Sequence, residues 1–262
     1  MDDRSLMLER KARRRALATI EERVKKSPNL YLEPTDLQTV GIHHLPLTLK
    51  DGTNALPRFF RPYAEDLPLP DKEDEFVDTE LSSDRPMWNV RDLEDFLFRH
   101  FLDCKEAAEE QHPHNPPPSG VPRDQLGDYK FGLLLECIGF SWEAAAVTEL
   151  ADPTIPHIKA MLISDAMGDE RLLRGEIMTI TDIMATRLRT KTFRPHVVAP
   201  ILLVSLMGPR HARVLEASFD GQTLTVRSTE LFDFTQRNTE AAQLLARYWL
   251  GGACGSTMMK AT

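Results

Sequence analysis

The chain has 262 residues, 42% of them hydrophobic, a formal net charge of −8 and a sequence pI of about 5.5. That length supports one sizeable core, and the acidic balance argues against non-specific attraction of the whole chain to nucleic acid or anionic lipid. Three widely spaced cysteines (Cys104, Cys137, Cys254), with no CxxC, speak against a disulfide scaffold or zinc module and for a reducing compartment. With neither a signal peptide nor an apolar run of membrane-spanning length, the expectation is an intracellular protein, cytoplasmic or nuclear.

Residues 4 to 26 read as a helix with a thin apolar seam of Leu17, Ile20 and Val24. Residues 1 to 26 hold nine Lys/Arg against five Asp/Glu. The run Arg10-Lys11-Ala12-Arg13-Arg14-Arg15 has two functional readings, a nuclear-import signal or a phosphate-binding patch. Its bland reading is a solvated face that pairs with the chain's own acidic segment. That segment, residues 64 to 110, carries sixteen acids against five bases.

Residues 27 to 88 are rich in Pro, Asp and Glu and read as an extended, partly mobile arm. Phe59, Phe60 and Tyr63 would anchor it, with mobility centred on 65 to 83. His43-His44 lies in the arm, but adjacent residues on an extended chain point apart, which disfavours a shared metal. From residue 89 an α+β body begins. Val90, Leu93, Leu97, Phe101 and Cys104 recur at helical spacing, with Asn89 and Asp92 placed for a capping box. Residues 112 to 123 form a Pro-rich loop, whose His112 and His114 read as solvated. Helical spacing is read again over 129 to 151, 157 to 167 and 169 to 190. The last has a stripe of Leu173, Ile177, Ile180, Met184 and Leu188.

Residues 196 to 234 change character. Val197 to Met207 are almost continuously apolar, the pattern of a strand covered on both faces, with Pro200 at its start or in a bulge. After Gly208-Pro209 the pattern alternates: Leu215, Ala217 and Phe219 face one way, Ala212, Val214 and Glu216 the other. Asp220-Gly221 suits a two-residue type I′ turn, and Thr223 to Ser228 returns. The expected fold is therefore α+β, a small antiparallel β-meander packed with helices. A final helix, capped by Asn238 or Thr239, buries Leu244, Leu245, Tyr248 and Trp249 and ends at Gly251-Gly252.

The candidate chemistry rests on five residues: Glu176, Glu216, Asp220, His211 and Arg213. Glu176 sits within the apolar stripe of its helix, where a carboxylate needs a partner or a metal. Glu216 shares a strand face with Val214 and Ala212, and Asp220 closes the hairpin beside it. His211 and Arg213 leave the Gly208-Pro209 turn on one face, a group able to bind an anion or act as acid and base. A helix bearing an acid, a meander bearing further acids and a second helix, over residues 169 to 250, resembles the element order of PD-(D/E)XK nuclease-like proteins. The resemblance implies Mg²⁺ or Mn²⁺ held by Glu176, Glu216 and Asp220 at a phosphate-containing or other anionic substrate. The third strand, Thr223-Leu224-Thr225-Val226-Arg227, lacks that family's Glu-x-Lys. The pattern Met-Gly-Pro, His-x-Arg, then Asp-Gly before a strand ending near Leu-x-Asp-Phe also resembles a group of uncharacterised filamentous-fungal proteins, which implies no activity. The leading expectation is a non-catalytic interaction or auxiliary protein without a cofactor, whose basic helix or acidic arm meets a protein partner. The alternative is the metal-dependent enzyme.

Overall fold

The computed structural model describes residues 3–50, 55–69, 81, 86–120, 131–139 and 141–259. Its class is α+β: five helices and an eight-stranded mixed sheet among the described residues. The sheet runs in the order β2 (Ile42–Pro46), β10 (Leu224–Ser228), β9 (His211–Phe219), β8 (Ile201–Gly208), β6 (Ile158–Met167), β5 (Trp142–Glu149), β4 (Leu135–Glu136), with β11 (Phe232–Asp233) also on β9. The predicted meander β8–β9–β10 is antiparallel as expected. It is the centre of a larger sheet, because β8 pairs in parallel with β6 and β10 in parallel with β2.

Both faces of the sheet are covered. On one, helices α1 (Asp3–Lys26), α2 (Pro34–Val40) and α4 (Arg174–Arg189) enclose Ile201, Leu203, Leu215, Ala217, Ile177 and Leu17. On the other, α3 (Pro86–Gln111) and α5 (Thr239–Leu250) enclose Leu202, Val204, Val214, Leu97 and Trp249. This two-sided cover explains the uninterrupted apolar sequence of β8. The apolar residues predicted for α3, for the stripe of α4 and for the seam of α1 are all buried. The pair 172–173 that precedes α4 is a short strand, β7 (Leu172–Leu173), paired with β1 (Tyr31–Leu32). Two more short strands, β3 (Phe60–Arg61) and β12 (Gly252–Ala253), pair with each other.

Two predicted helices are strands. The 129 to 151 stretch forms β4 and β5, and 157 to 167 forms β6. Leu133 and Ile138 are exposed, while Trp142, Ala146 and Val147 are buried along β5, which has a bulge between Ala144 and Ala146. Short apolar runs do not separate a two-faced strand from a helix by periodicity. Residues 27 to 88 are not uniformly extended, since helix α2 lies within them, and β2 joins the sheet rather than an arm. Phe60 and Tyr63 are buried as anchors. The mobility expected over 65 to 83 falls largely on residues outside those described, as do 121–123 of the 112 to 123 loop. Helix α3 starts at Pro86, so Asn89 is a buried helix residue rather than a cap, and Asp92 pairs with Arg210 instead.

The α1 helix belongs to the body. It runs antiparallel to α4, and each helix supplies an arginine to the other's C-terminal carbonyls. Arg10 donates to the Leu188 and Thr190 carbonyls at 2.6 and 3.0 Å, and also to those of Phe193 and His196. Arg174 donates to the Val24 and Ser27 carbonyls, both at 2.8 Å. Helix ends leave carbonyls without intrahelical donors, and a guanidinium satisfies several at once. Arg13 is buried likewise and donates to the Phe219 carbonyl at 2.9 Å.

Candidate functional site

The five predicted site residues separate into three places. Glu176 and Arg213 are both fully buried and form a bidentate pair, Nε to Oε1 at 2.8 Å and Nη2 to Oε2 at 2.6 Å. Glu176 Oε2 also accepts the Leu173 N–H at 2.7 Å, satisfying the backbone donor at the start of α4. Arg213 spends its remaining donors on the carbonyls of Asp169 and Arg171. His211 precedes Arg213 on the same face of β9, and its ring lies 4.0 Å from Asp233.

Glu216 points to the opposite face. Its oxygens accept the N–H groups of Arg58 and Phe59 at 2.7 to 2.9 Å, with Arg227 at 3.7 Å. Burial pushes its carboxyl above the usual range, partly offset by those N–H groups. Asp220 is in the turn, where Oδ1 accepts the N–H of Gln222 and Thr223, both at 2.8 Å. Phe219 pairs with Leu224, so this turn spans residues 220–223 rather than the two-residue connection expected. Gly221 carries the positive φ, at 109°.

Glu176 and Glu216 therefore lie on opposite faces of one sheet, and Asp220 is at its edge. Three carboxylates so placed cannot share one ion, and those of Glu176 and Glu216 already have both oxygens occupied. The residues do not fit the Mg²⁺ or Mn²⁺ site expected of them. Among the described residues no three His, Cys, Asp or Glu side chains form a metal-binding group.

Two other places have accessible chemistry. The first is a cleft of about 510 Å³ where the start of α1 meets the end of α4. Its lining includes six basic residues, Arg4, Arg10, Arg14, Arg189, Lys191 and Arg194, against one acid, Asp3. Arg10 is consumed by carbonyls, and its pKa falls to about 10 through burial first and then the nearby charges of Arg14 and Arg194. Arg14 Nε is buried and has no hydrogen-bond partner among the described residues. The basic run is thus split: Arg10 and Arg13 point into the protein, while Lys11 and Arg15 are exposed.

The second is a cavity of about 760 Å³ at the ends of the parallel strands β2 and β10. Leu45, Leu47, Leu231 and Phe232 make its walls apolar. His44 and Ser228 also line it, with Nε2 and Oγ 2.7 Å apart. Burial first, then the Arg213 charge, lowers the His44 pKa and keeps the ring neutral, against an opposing pull from Glu176. Sequence reasoning missed this pair because 184 residues separate its members and β2 was read as arm.

One further buried cation is structural. Lys159 Nζ lies 2.6 Å from Ser119 Oγ and from the Trp249 and Gly251 carbonyls, at the C-terminus of α5. Burial lowers its pKa, and three acceptors match the three donors of an ammonium. No helix among the described residues is long and apolar enough to cross a membrane. No protein-family model, curated protein or solved structure matches the chain.

Proposed function

We propose that this protein is an intracellular interaction protein that takes an acidic polypeptide segment in the basic cleft between α1 and the end of α4. The observation that carries this reading is the charge balance of the cleft lining: six basic residues against one acid, in a chain whose net charge is −8. None of the described acids of 64 to 110 lines the cleft. Helix α3 packs on the far face of the sheet with Leu67 and Met87. A cleft lined by one sign of charge focuses its field and raises the local concentration of the opposite sign. Met7, an exposed apolar residue at 62%, also lines the cleft and gives a contact for an apolar side chain between the partner's acids. Cys104, Cys137 and Cys254 form no disulfide, which supports the reducing, intracellular setting.

The test is fluorescence anisotropy with a labelled peptide of alternating Glu and Leu, beside a single-stranded oligonucleotide of equal charge. Arg14→Glu with Arg194→Glu should weaken the peptide at least about tenfold, or ~1.4 kcal/mol. Two lost attractions at about 0.2–1 kcal/mol each, plus two new repulsions, account for that size. Equal binding by wild type and double variant removes the cleft from the interaction. Tighter binding of the oligonucleotide makes nucleic acid the ligand instead. Deletion of residues 1–26 is unsuitable as a test, since α1 forms part of the core.

A further inference from the structure

We propose that Ser228 and His44 form a nucleophile–base pair that opens carboxylic esters with small apolar acyl groups inside the cavity at the ends of β2 and β10. Four observations converge. The 2.7 Å separation of Nε2 and Oγ is within proton-transfer range. The pair opens into about 760 Å³ of space, the size of small-molecule sites. The walls are apolar, and the ends of parallel strands are a recurrent place for ligands. The pair stands on two hydrogen-bonded strands, in register from Ile42–Leu224 to Pro46–Ser228, so its backbone is held in place. The other charged groups lining the cavity are Lys50, Glu170 and Glu230. A negative rim of this kind disfavours acyl chains that end in a carboxylate.

The chemistry balances without a cofactor. With His44 neutral and Nε2 unprotonated, the Ser228 hydroxyl proton passes to Nε2 as Oγ bonds to the ester carbonyl carbon. The tetrahedral adduct collapses, the carbon–alkoxy bond breaks, and the alkoxide takes the proton from His44. Water then adds to the acyl-serine, gives its proton to His44, and the Oγ–acyl bond breaks as that proton returns to Oγ. The products are an alcohol and a carboxylic acid. The bland account of the same contact is a hydrogen bond that ties β2 to β10, and it leaves Ser228 inert.

The full chain, folded, is treated with a fluorophosphonate probe and the labelled peptide mapped, beside a heat-unfolded control. Label on Ser228 of the folded wild-type chain and none on the control is the expected result. Turnover of p-nitrophenyl butyrate should vanish in Ser228→Ala and fall by about a hundredfold in His44→Gln, the size of a lost general base. An unlabelled Ser228 in the folded wild-type chain overturns the assignment without recourse to any variant. Ester turnover equal in wild type and Ser228→Ala overturns it as well. Peptide binding at the basic cleft is a separate measurement, and neither outcome bears on the other.

Discussion

Glu176→Gln is the most informative single substitution, because it keeps the shape of the side chain and removes only its charge. Both partners of the Arg213–Glu176 pair have no exposed side-chain surface. The substitution therefore leaves a guanidinium buried against a neutral amide, and breaking a buried pair from one side costs about 3–5 kcal/mol. For a domain of typical stability, about 5–15 kcal/mol, that is a large fraction. At about 2–4 °C per kcal/mol for chains of this order, the melting temperature should fall by roughly 10 °C. Urea unfolding followed by far-UV circular dichroism measures the loss directly. The exposed pair Arg91–Glu143, with side chains 50% and 34% accessible, is the internal control. Glu143→Gln should cost no more than about 1 kcal/mol. Replacing both Glu176 and Arg213 by Leu should recover only part of the loss. The carbonyls of Asp169 and Arg171 then lack their donor, at about 1–3 kcal/mol for each such buried group. A Glu176→Gln protein within ~1 kcal/mol of wild type would refute the charge pairing on which this reasoning depends.

Leu17→Ala should cost about 2–5 kcal/mol by urea unfolding, since Leu17 is fully buried between α1 and the α4 layer; an exposed-helix cost of a few tenths would mean α1 is dispensable. Gly175→Ala puts a Cβ 2.6 Å from the Trp142 ring, and the overpacking should lower stability by about 1–3 kcal/mol and shift the near-UV tryptophan spectrum. Burial, the largest influence on Glu94, raises its carboxyl to about 7, with Asp95 and Glu143 adding to the rise and Arg91 opposing it. The folded state then binds a proton that the unfolded state has released, so between pH 4.5 and 7 the Glu94 contribution to stability falls as pH rises. Glu94→Gln should therefore gain on wild type at pH 8 relative to pH 4.5, and a pH-independent difference between the two proteins would contradict it.

The elements most legible in the sequence were those with one dominant pattern. Helices α3, α4 and α5 announce themselves by apolar spacing, and Asn238 does cap α5, accepting the Ala241 N–H at 3.0 Å. The meander follows from alternation and a turn residue pair. Strands β5 and β6 did not stand out, because Ala-rich and two-faced strands carry no alternation to distinguish them from buried helix. The place of β2 was beyond reach for another reason: nothing local to Ile42–Pro46 specifies a parallel partner at 224–228. Site residues followed the same divide. The need of Glu176 for a partner was visible from its neighbours in the helix. That the partner is Arg213, and that Glu216 faces away from it, depends on strand pairings fixed only in three dimensions. The basic run was visible too, yet which of its arginines turn inward depends on where α4 ends.

The edge position of β2 has a consequence for biosynthesis. Its ladder partner, β10, lies some 180 residues downstream, and α1 finds its carbonyl partners once α4 and the 193–196 turn exist. Closing such long loops is slow, and the closure entropy has to be met before any contact rewards it. On the ribosome α1 consequently has nowhere to dock until His196 has been made, and β2 waits longer, until Ser228. During that interval the seam of Leu17, Ile20 and Val24 is a natural target for a chaperone, and truncated products that end before His196 should be the ones that aggregate.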